Sequence, residues 1–167
     1  MSKTALLISE FCVLAYQNTA ENQNEAVYDC GKLLHHYLCG EEISDTRLSS
    51  VLYKIESIRK KYCKEYEREL SNLQPVNVSK DWRILSKIAD SMLISEITWE
   101  KIVVFFTFVK HFCIFFQKTD IQYTSQLALR VQSYLENNKN VSRWFRDHNK
   151  WEGFVDYCCG SLVENEC

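Results

Sequence analysis

Thr98-Trp99-Glu100-Lys101-Ile102-Val103-Val104-Phe105-Phe106-Thr107-Phe108-Val109-Lys110-His111-Phe112-Cys113-Ile114-Phe115-Phe116 is the stretch that decides the fold. From Ile102 to Phe116 it is apolar on nearly every side. A helix with no polar face must be enclosed by protein or lipid. Crossing a bilayer takes about 20 uninterrupted apolar residues, and this run is shorter and carries Lys110 and His111 inside it. It therefore reads as a buried helix around which others pack. The β-branched and aromatic content would also suit a buried strand. Length decides for the helix, together with Thr98 at an N-cap position and Glu100 in the first turn, where the helix dipole favours an acid. Lys110 and His111 must then reach the helix end or a polar partner.

Amphipathic patterns flank this rod on both sides. A helix is expected over 4–18, with Leu6, Leu7, Phe11, Leu14 and Ala15 on one face, and a second over 25–39, stopped by Gly40. From 47 to 73, Leu48, Val51, Leu52, Ile55, Ile58, Tyr62, Tyr66, Leu70 and Leu73 recur at spacings of three and four, which predicts one long helix ended by Pro75 and Asn77. A helix over 80–93 carries Trp82, Leu85, Ile88, Ala89 and Met92. Beyond the apolar run follow a helix over 124–137 and a final pair over 141–147 and 151–162. The fold class is all-α: a bundle of about seven to nine helices around one central apolar helix.

Composition agrees. The 167 residues fit a single domain spanning the chain, with enough length for a substantial core. Four Gly and one Pro are too few for the tight turns of an all-β fold. A formal charge of -2 gives no reason to expect nucleic acid or an anionic membrane as partner. The basic cluster Arg59-Lys60-Lys61 is interleaved with Glu56, Glu65, Glu67 and Glu69, as on a solvated helix face. Of eight cysteines, Cys12, Cys30, Cys39, Cys63 and Cys113 fall on apolar sides of helical patterns, where a thiol acts as a small hydrophobe, so a reducing compartment is inferred. Cys158, Cys159, Cys167 and His148 match no common zinc spacing, and no metal is expected. His35-His36 reads as a surface pair. The apolar segment 5–16 lacks the basic start and small-residue end of a signal peptide, and the polar 160–167 offers no hydrophobic tail, so no stable membrane anchor is expected. No Gly-rich phosphate loop, nucleophile context or His/carboxylate metal pattern is present, which leaves neither a cofactor nor an enzymatic activity to propose.

Two stretches stand in an order that resembles a known family. Glu96-Ile97-Thr98-Trp99-Glu100-Lys101-Ile102-Val103-Val104-Phe105-Phe106 is similar to the first homology motif of the Bcl-2 family, an Asn-Trp-Gly-Arg followed by an apolar helix. Trp144-Phe145-Arg146-Asp147-His148-Asn149-Lys150-Trp151-Glu152-Gly153-Phe154-Val155 is similar to the second, and Val51-Leu52-Tyr53-Lys54-Ile55 stands where the family carries its third-motif helix. The resemblance covers residues 25–160 and looks closest to pro-survival members with short loops, viral homologues among them. Residues 1–24 are then either an extra helix or the family's own first helix.

What the resemblance implies is a Bcl-2-like bundle with a surface groove that takes the amphipathic death-motif helix of a pro-apoptotic relative, read as apolar anchors one turn apart. Ile58, Tyr62, Tyr66 and Leu70 would furnish one wall. Ile88, Trp99, Val104, Phe105 and Phe108 would furnish the other wall and floor; against this, Trp99, Trp144 and Trp151 also read as core aromatics, Tyr62, Tyr66 and Leu70 as residues buried against a neighbouring helix, and Lys101 as a solvated lysine at a helix start. The family's Arg, which pairs with an Asp of the ligand, maps onto Lys101, a point charge without the bidentate fork. Its Gly maps onto Glu100, whose bulk and negative charge beside that Asp imply a narrow ligand range. Thr98 replaces the family's Asn and keeps the capping chemistry. The implied function is inhibition of apoptosis by sequestering pro-apoptotic Bcl-2 proteins in the cytoplasm, with mitochondria reached through those partners. An apolar groove also permits a homodimer. The competing reading is a pro-apoptotic or membrane-permeabilising member; the absent Leu-x-x-x-Gly-Asp around Leu52 speaks against it.

Overall fold

The structure, a computed structural model, describes residues 30–40 and 44–160. Within them the chain forms α1 (Cys30–Cys39), α2 (Thr46–Lys61), α3 (Cys63–Leu70), α4 (Val78–Leu93), α5 (Trp99–Phe115), α6 (Ile121–Asn137), α7 (Lys139–Asp147) and α8 (Lys150–Gly160), with no strand among the described residues. The helix expected over 4–18, the first part of that over 25–39 and the end of that over 151–162 lie outside the described residues.

Short polar side chains set most of the starts. Asp45 accepts from the backbone N–H of Arg47 and Leu48, Asn77 from Lys80, Thr98 from Lys101, Asp120 from Tyr123 and Asn138 from Asn140 and Val141. Each such cap is worth about 1 kcal/mol. The caps at Asn77 and Asp120 move two starts ahead of the sequence expectation, because they bring Val78 and Tyr123 into the helices and under cover.

α5 is the rod of the bundle. From Ile102 to Cys113 only Val104 and Lys110 escape full burial, and α1, α2, α3 and α4 all pack against it. Burying a Phe or Ile side chain stabilises by about 1.5–3 kcal/mol, so this one helix anchors the core. Its end has no glycine; Gln117 adopts φ +55 and Lys118 N–H closes onto the Cys113 carbonyl at 2.8 Å. Around the rod, α1 lies along α6, α4 and α7 also pack on α6, and α8 packs on α2 and α7. Among the described residues no helix is long and apolar enough to cross a membrane.

One expectation needs correcting. The pattern over 47–73 is two helices, not one. Tyr62 leaves helical geometry (φ -102, ψ 9) and separates α2 from α3. Beyond the break α3 packs on α5, with Leu70 fully buried and the Tyr66 hydroxyl 2.7 Å from Thr107 Oγ1. No glycine or proline marks the spot, and the same three-four spacing continues through it.

Candidate ligand groove and the motifs beside it

The first motif places its residues through one helix start. Thr98 Oγ1 accepts from Lys101 N–H at 3.2 Å, which fixes the direction in which α5 leaves the preceding loop. Lys101, Val104, Phe108 and His111 then follow at three- and four-residue spacing and share one stripe of α5. Exposure falls along the stripe: Lys101 and Val104 are half-buried, Phe108 and His111 buried. α3 covers its far end. There the Tyr66 ring meets Phe108 edge-on at 5.4 Å, and Tyr62 lies 6.2 Å from Tyr66.

The near end of the stripe, at Lys101 and Val104, is half open. Half-buried apolar side chains also occur on the helices that flank α5: Ile58 and Tyr62 from α2 and its junction, the latter at the far end beside Tyr66, Leu73 after α3, and Ile88 with Met92 from α4. On α4, Trp82 turns toward α6 and meets Tyr134 at 5.9 Å. Ile88 stands about 120° from Trp82 around the helix, on the flank away from α6. Lys101 Nζ donates to the Glu96 carbonyl at 2.9 Å, which parks the ammonium at the mouth of the stripe. Met92 and Leu73, which were not among the residues expected to line a groove, are half-buried apolar side chains of the same kind, Met92 one turn after Ile88.

The other expected groove residues are placed differently. Leu70 and Phe105 are fully enclosed core side chains, and Phe105 faces Phe106 and Tyr134, toward α6. Tyr66 is buried, its hydroxyl spent on Thr107. Glu100 is exposed and close enough to Tyr157 of α8 to help burial raise that phenol's pKa. Trp99 is half-buried and turned to the far side, where it meets Trp144 at 4.7 Å, Phe145 at 5.2 Å and Phe154 at 5.8 Å.

Trp99 thereby joins the first motif to the second. Trp151 of α8 stacks on Phe106 of α5 and meets Phe145 of α7, and Phe154 meets Phe106 edge-on, so one aromatic cluster ties three helices together. The sharp turn between α7 and α8 makes this possible: Asn149 and Lys150 adopt φ +64 and +52. Gly153 is required there, because a Cβ on it would lie 2.0 Å from the His148 carbonyl oxygen and 2.9 Å from the Trp99 ring. His148 itself stacks on Trp144 at 4.0 Å and donates from Nδ1 to the Trp144 carbonyl. Among the described residues no group of three His, Cys, Asp or Glu side chains is arranged to hold a metal ion. A separate depression of about 230 Å³ opens between α6, α7 and α8, walled by Leu135, Phe145 and Trp151; none of the expected groove residues reaches it.

The stripe's buried end is polar underneath. Arg59 of α2 donates to His111 Nδ1 at 2.9 Å and grips Glu56 through Nε and Nη2. A guanidinium only donates, so His111 Nδ1 is the bare acceptor nitrogen and the ring is neutral. Burial first, then the Arg59 charge, hold the His111 pKa below its ordinary value, against the pull of Glu67, whose Oε1 lies 3.5 Å from Nε2. Lys110 reaches out of the core to donate to the Leu38 carbonyl at 3.2 Å, with its ammonium 5.6 Å over the Tyr37 ring. Lys110 and the Nδ1 of His111 therefore find polar partners inside the apolar run, while the buried Nε2 of His111 has Glu67 nearby at 3.5 Å and makes no hydrogen bond.

A bundle built on a buried central helix, with these two motifs joined across it, is the arrangement that the two sequence motifs implied. A model of the family described as apoptosis regulator proteins, Bcl-2 family, matches residues 52–151, and the chain belongs to that family. Its fold is similar to that in the crystal structure of Trichoplax adhaerens trBcl-2L2 bound to trBak BH3, with a TM-score of 0.59 and 16% sequence identity over 76% of this chain and 95% of that one. No curated protein sequence matches the chain.

Proposed function

We propose that this chain is a pro-survival Bcl-2 protein that captures the death-motif helix of a pro-apoptotic relative in a trench between α3 and α4, floored by α5. The observation that carries the reading is the stripe Lys101–Val104–Phe108, half open at Lys101 and Val104, on a helix flanked by α3 and α4, whose neighbourhood includes the half-buried apolar side chains Tyr62, Leu73, Ile88 and Met92. Apolar side chains left half covered on helices packed around one rod are what an incoming amphipathic helix would finish burying. The Lys101 ammonium would exchange the Glu96 carbonyl for the ligand's Asp, a stronger charge-assisted bond. Support also comes from the Trichoplax neighbour, whose structure contains a bound BH3 segment.

Enclosed side chains such as Leu70 and Phe105 would act as support under the trench, and Trp99 as the bracket that holds its α5 floor to α7 and α8. Glu100 stands exposed next to Lys101 and would repel acidic ligand positions, restricting the partners accepted. Action is by equilibrium capture, without chemistry or cofactor, in the cytoplasm and at mitochondria through the captured partner.

The test is a titration of the protein with a panel of death-motif peptides. Selective binding of a few is expected. Lys101→Ala should weaken the bound peptides by roughly tenfold, the scale of one exposed charge-assisted contact, and Glu100→Gly should widen the range. Uniformly tight binding to every peptide, or indifference to both substitutions, would overturn the reading. Dye release from liposomes by the protein alone would favour the membrane-permeabilising alternative.

A further inference from the structure

The seam between α1 and α6 holds a chemical group that ligand capture does not use. Cys39 ends α1 and is half-buried, a thiol that reads as an apolar filler in the sequence. Its surroundings are polar instead. Cys39 Sγ lies 3.1 Å from Thr124 Oγ1 and 3.8 Å from Ser125 Oγ, at the start of α6. Ser125 Oγ in turn lies 3.1 Å from His35 Nε2, so His35 is half-buried against α6 and not the surface residue expected. His35 stands one turn before Cys39 and shares its helix face. A thiol, an imidazole and two hydroxyls thus converge on one spot that solvent still reaches.

Thr124 Oγ1 gives its proton to the Asp120 carbonyl at 3.1 Å, so an ionised sulfur is favoured chiefly by Ser125 and His35, whose O–H and N–H donate to a thiolate more strongly than to a thiol. Burial works to raise the Cys39 pKa, but hydrogen bonds with His35, Thr124 and Ser125 outweigh it and leave the thiol below its ordinary value. Cys113, buried in the core one helix away, shows the opposite: burial pushes it up to about 12. Half-exposed thiols with thiolate character are the ones that react.

We propose that Cys39 is a modification site, a nucleophilic thiol that takes up hydroperoxides, and that its oxidation unseats α1 from α6. In the step, His35 accepts the thiol proton and the sulfur lone pair attacks one peroxide oxygen. The S–O bond forms as the O–O bond breaks, and the leaving oxygen takes the proton. Sulfur is oxidised by two electrons to the sulfenic acid, and the hydroperoxide is reduced to water or an alcohol. The added oxygen then has to fit a seam in which Thr124 is fully buried and Ser125 nearly so. α1 packs chiefly on α6, so crowding there acts on most of its attachment.

The folded full-length chain carries its own comparators, Cys63 and Cys159, which are half-buried as well. Limiting iodoacetamide at pH 7, read per cysteine by mass spectrometry, should label Cys39 roughly tenfold faster than either. His35→Gln should slow Cys39 by a similar factor while leaving Cys63 unchanged. Hydrogen peroxide followed by a sulfenic-acid trap should mark Cys39 first, and amide exchange in α1 should rise in the oxidised wild type but not in peroxide-treated Cys39→Ser. Equal labelling of the three thiols, or a Cys39 rate untouched by His35→Gln, would overturn the assignment of a reactive thiol. Oxidation at Cys39 with α1 exchange unchanged would overturn the coupling to the seam.

Discussion

Asn149 and Lys150 sit in left-handed backbone that costs an ordinary side chain about 1 kcal/mol and glycine almost nothing. Lys150→Gly is therefore expected to stabilise the chain by up to about 1 kcal/mol, and Asn149→Gly by less, since asparagine tolerates this region. Chemical denaturation checks it; an unchanged or lowered midpoint for Lys150→Gly would contradict the strain. Gly153 is the reverse case. A methyl group there meets the His148 carbonyl, which is backbone and cannot swing away, so Gly153→Ala should cost about 1–3 kcal/mol or more and loosen the α7–α8 turn. Side-chain identity at this scale was partly legible. The sequence marks Gly153 as part of a motif, but its reason, a carbonyl pressed against its α-carbon, exists only once the turn is folded. Asp81 shows the same limit. An acid in the first turn of α4, it is completely buried, accepting from the Tyr123 hydroxyl at 2.7 Å and from Val76 N–H at 2.9 Å. No local pattern announces a partner lying beyond the intervening α5.

At the scale of elements, sequence reasoning reads best where a helix is either greasy all round or capped. α5 was recognisable from both properties, and its Thr98 cap is formed as the spacing requires. Thr98→Ala should cost about 1 kcal/mol in a denaturant titration, the usual value of a lost N-cap, and because the cap also aims Lys101 it should weaken peptide capture in the same variant. The α2–α3 break was illegible because periodicity carries no information about a single residue that leaves the helix while both halves keep the same apolar spacing. What decides it is tertiary: Tyr66 finds Thr107, and Leu70 finds the core, only after the turn at Tyr62. The same is true of Trp99. A tryptophan opening a buried helix could face either side of it, and the aromatic rings of α7 and α8 settle which.

For the molecule as a whole, the cluster around His111 gives a pH dependence with a definite sign. Facing the ring are Arg59 and Glu56 from α2 and Tyr66 and Glu67 from α3. The folded state holds the His111 pKa below its ordinary value, so below pH about 6.5 the unfolded chain binds more protons than the folded one. Stability contributed by the neutral imidazole is therefore complete above that pH and is lost as pH falls toward the lower, folded pKa. Wild type should lose denaturant resistance between pH 7.5 and 5.5 in the sense just given, and His111→Gln, which has nothing to titrate there, should be flatter over the same interval. A parallel loss in both would assign the effect to other groups. Protonation would turn Nδ1 from acceptor to donor against the Arg59 guanidinium, so the strain would fall on the junction of α2, α3 and α5.

Three of the four tryptophans, Trp99, Trp144 and Trp151, are packed into the aromatic cluster at the α7–α8 end, while Trp82 alone stands apart beside Tyr134. Near-ultraviolet dichroism and most of the emission will therefore come from the second motif, an optical gauge of whether the last two helices are docked. If a peptide is captured over Val104 as proposed, that signal should barely change, so uptake would be followed with a dye on the peptide while the intrinsic bands serve as a simultaneous readout of foldedness.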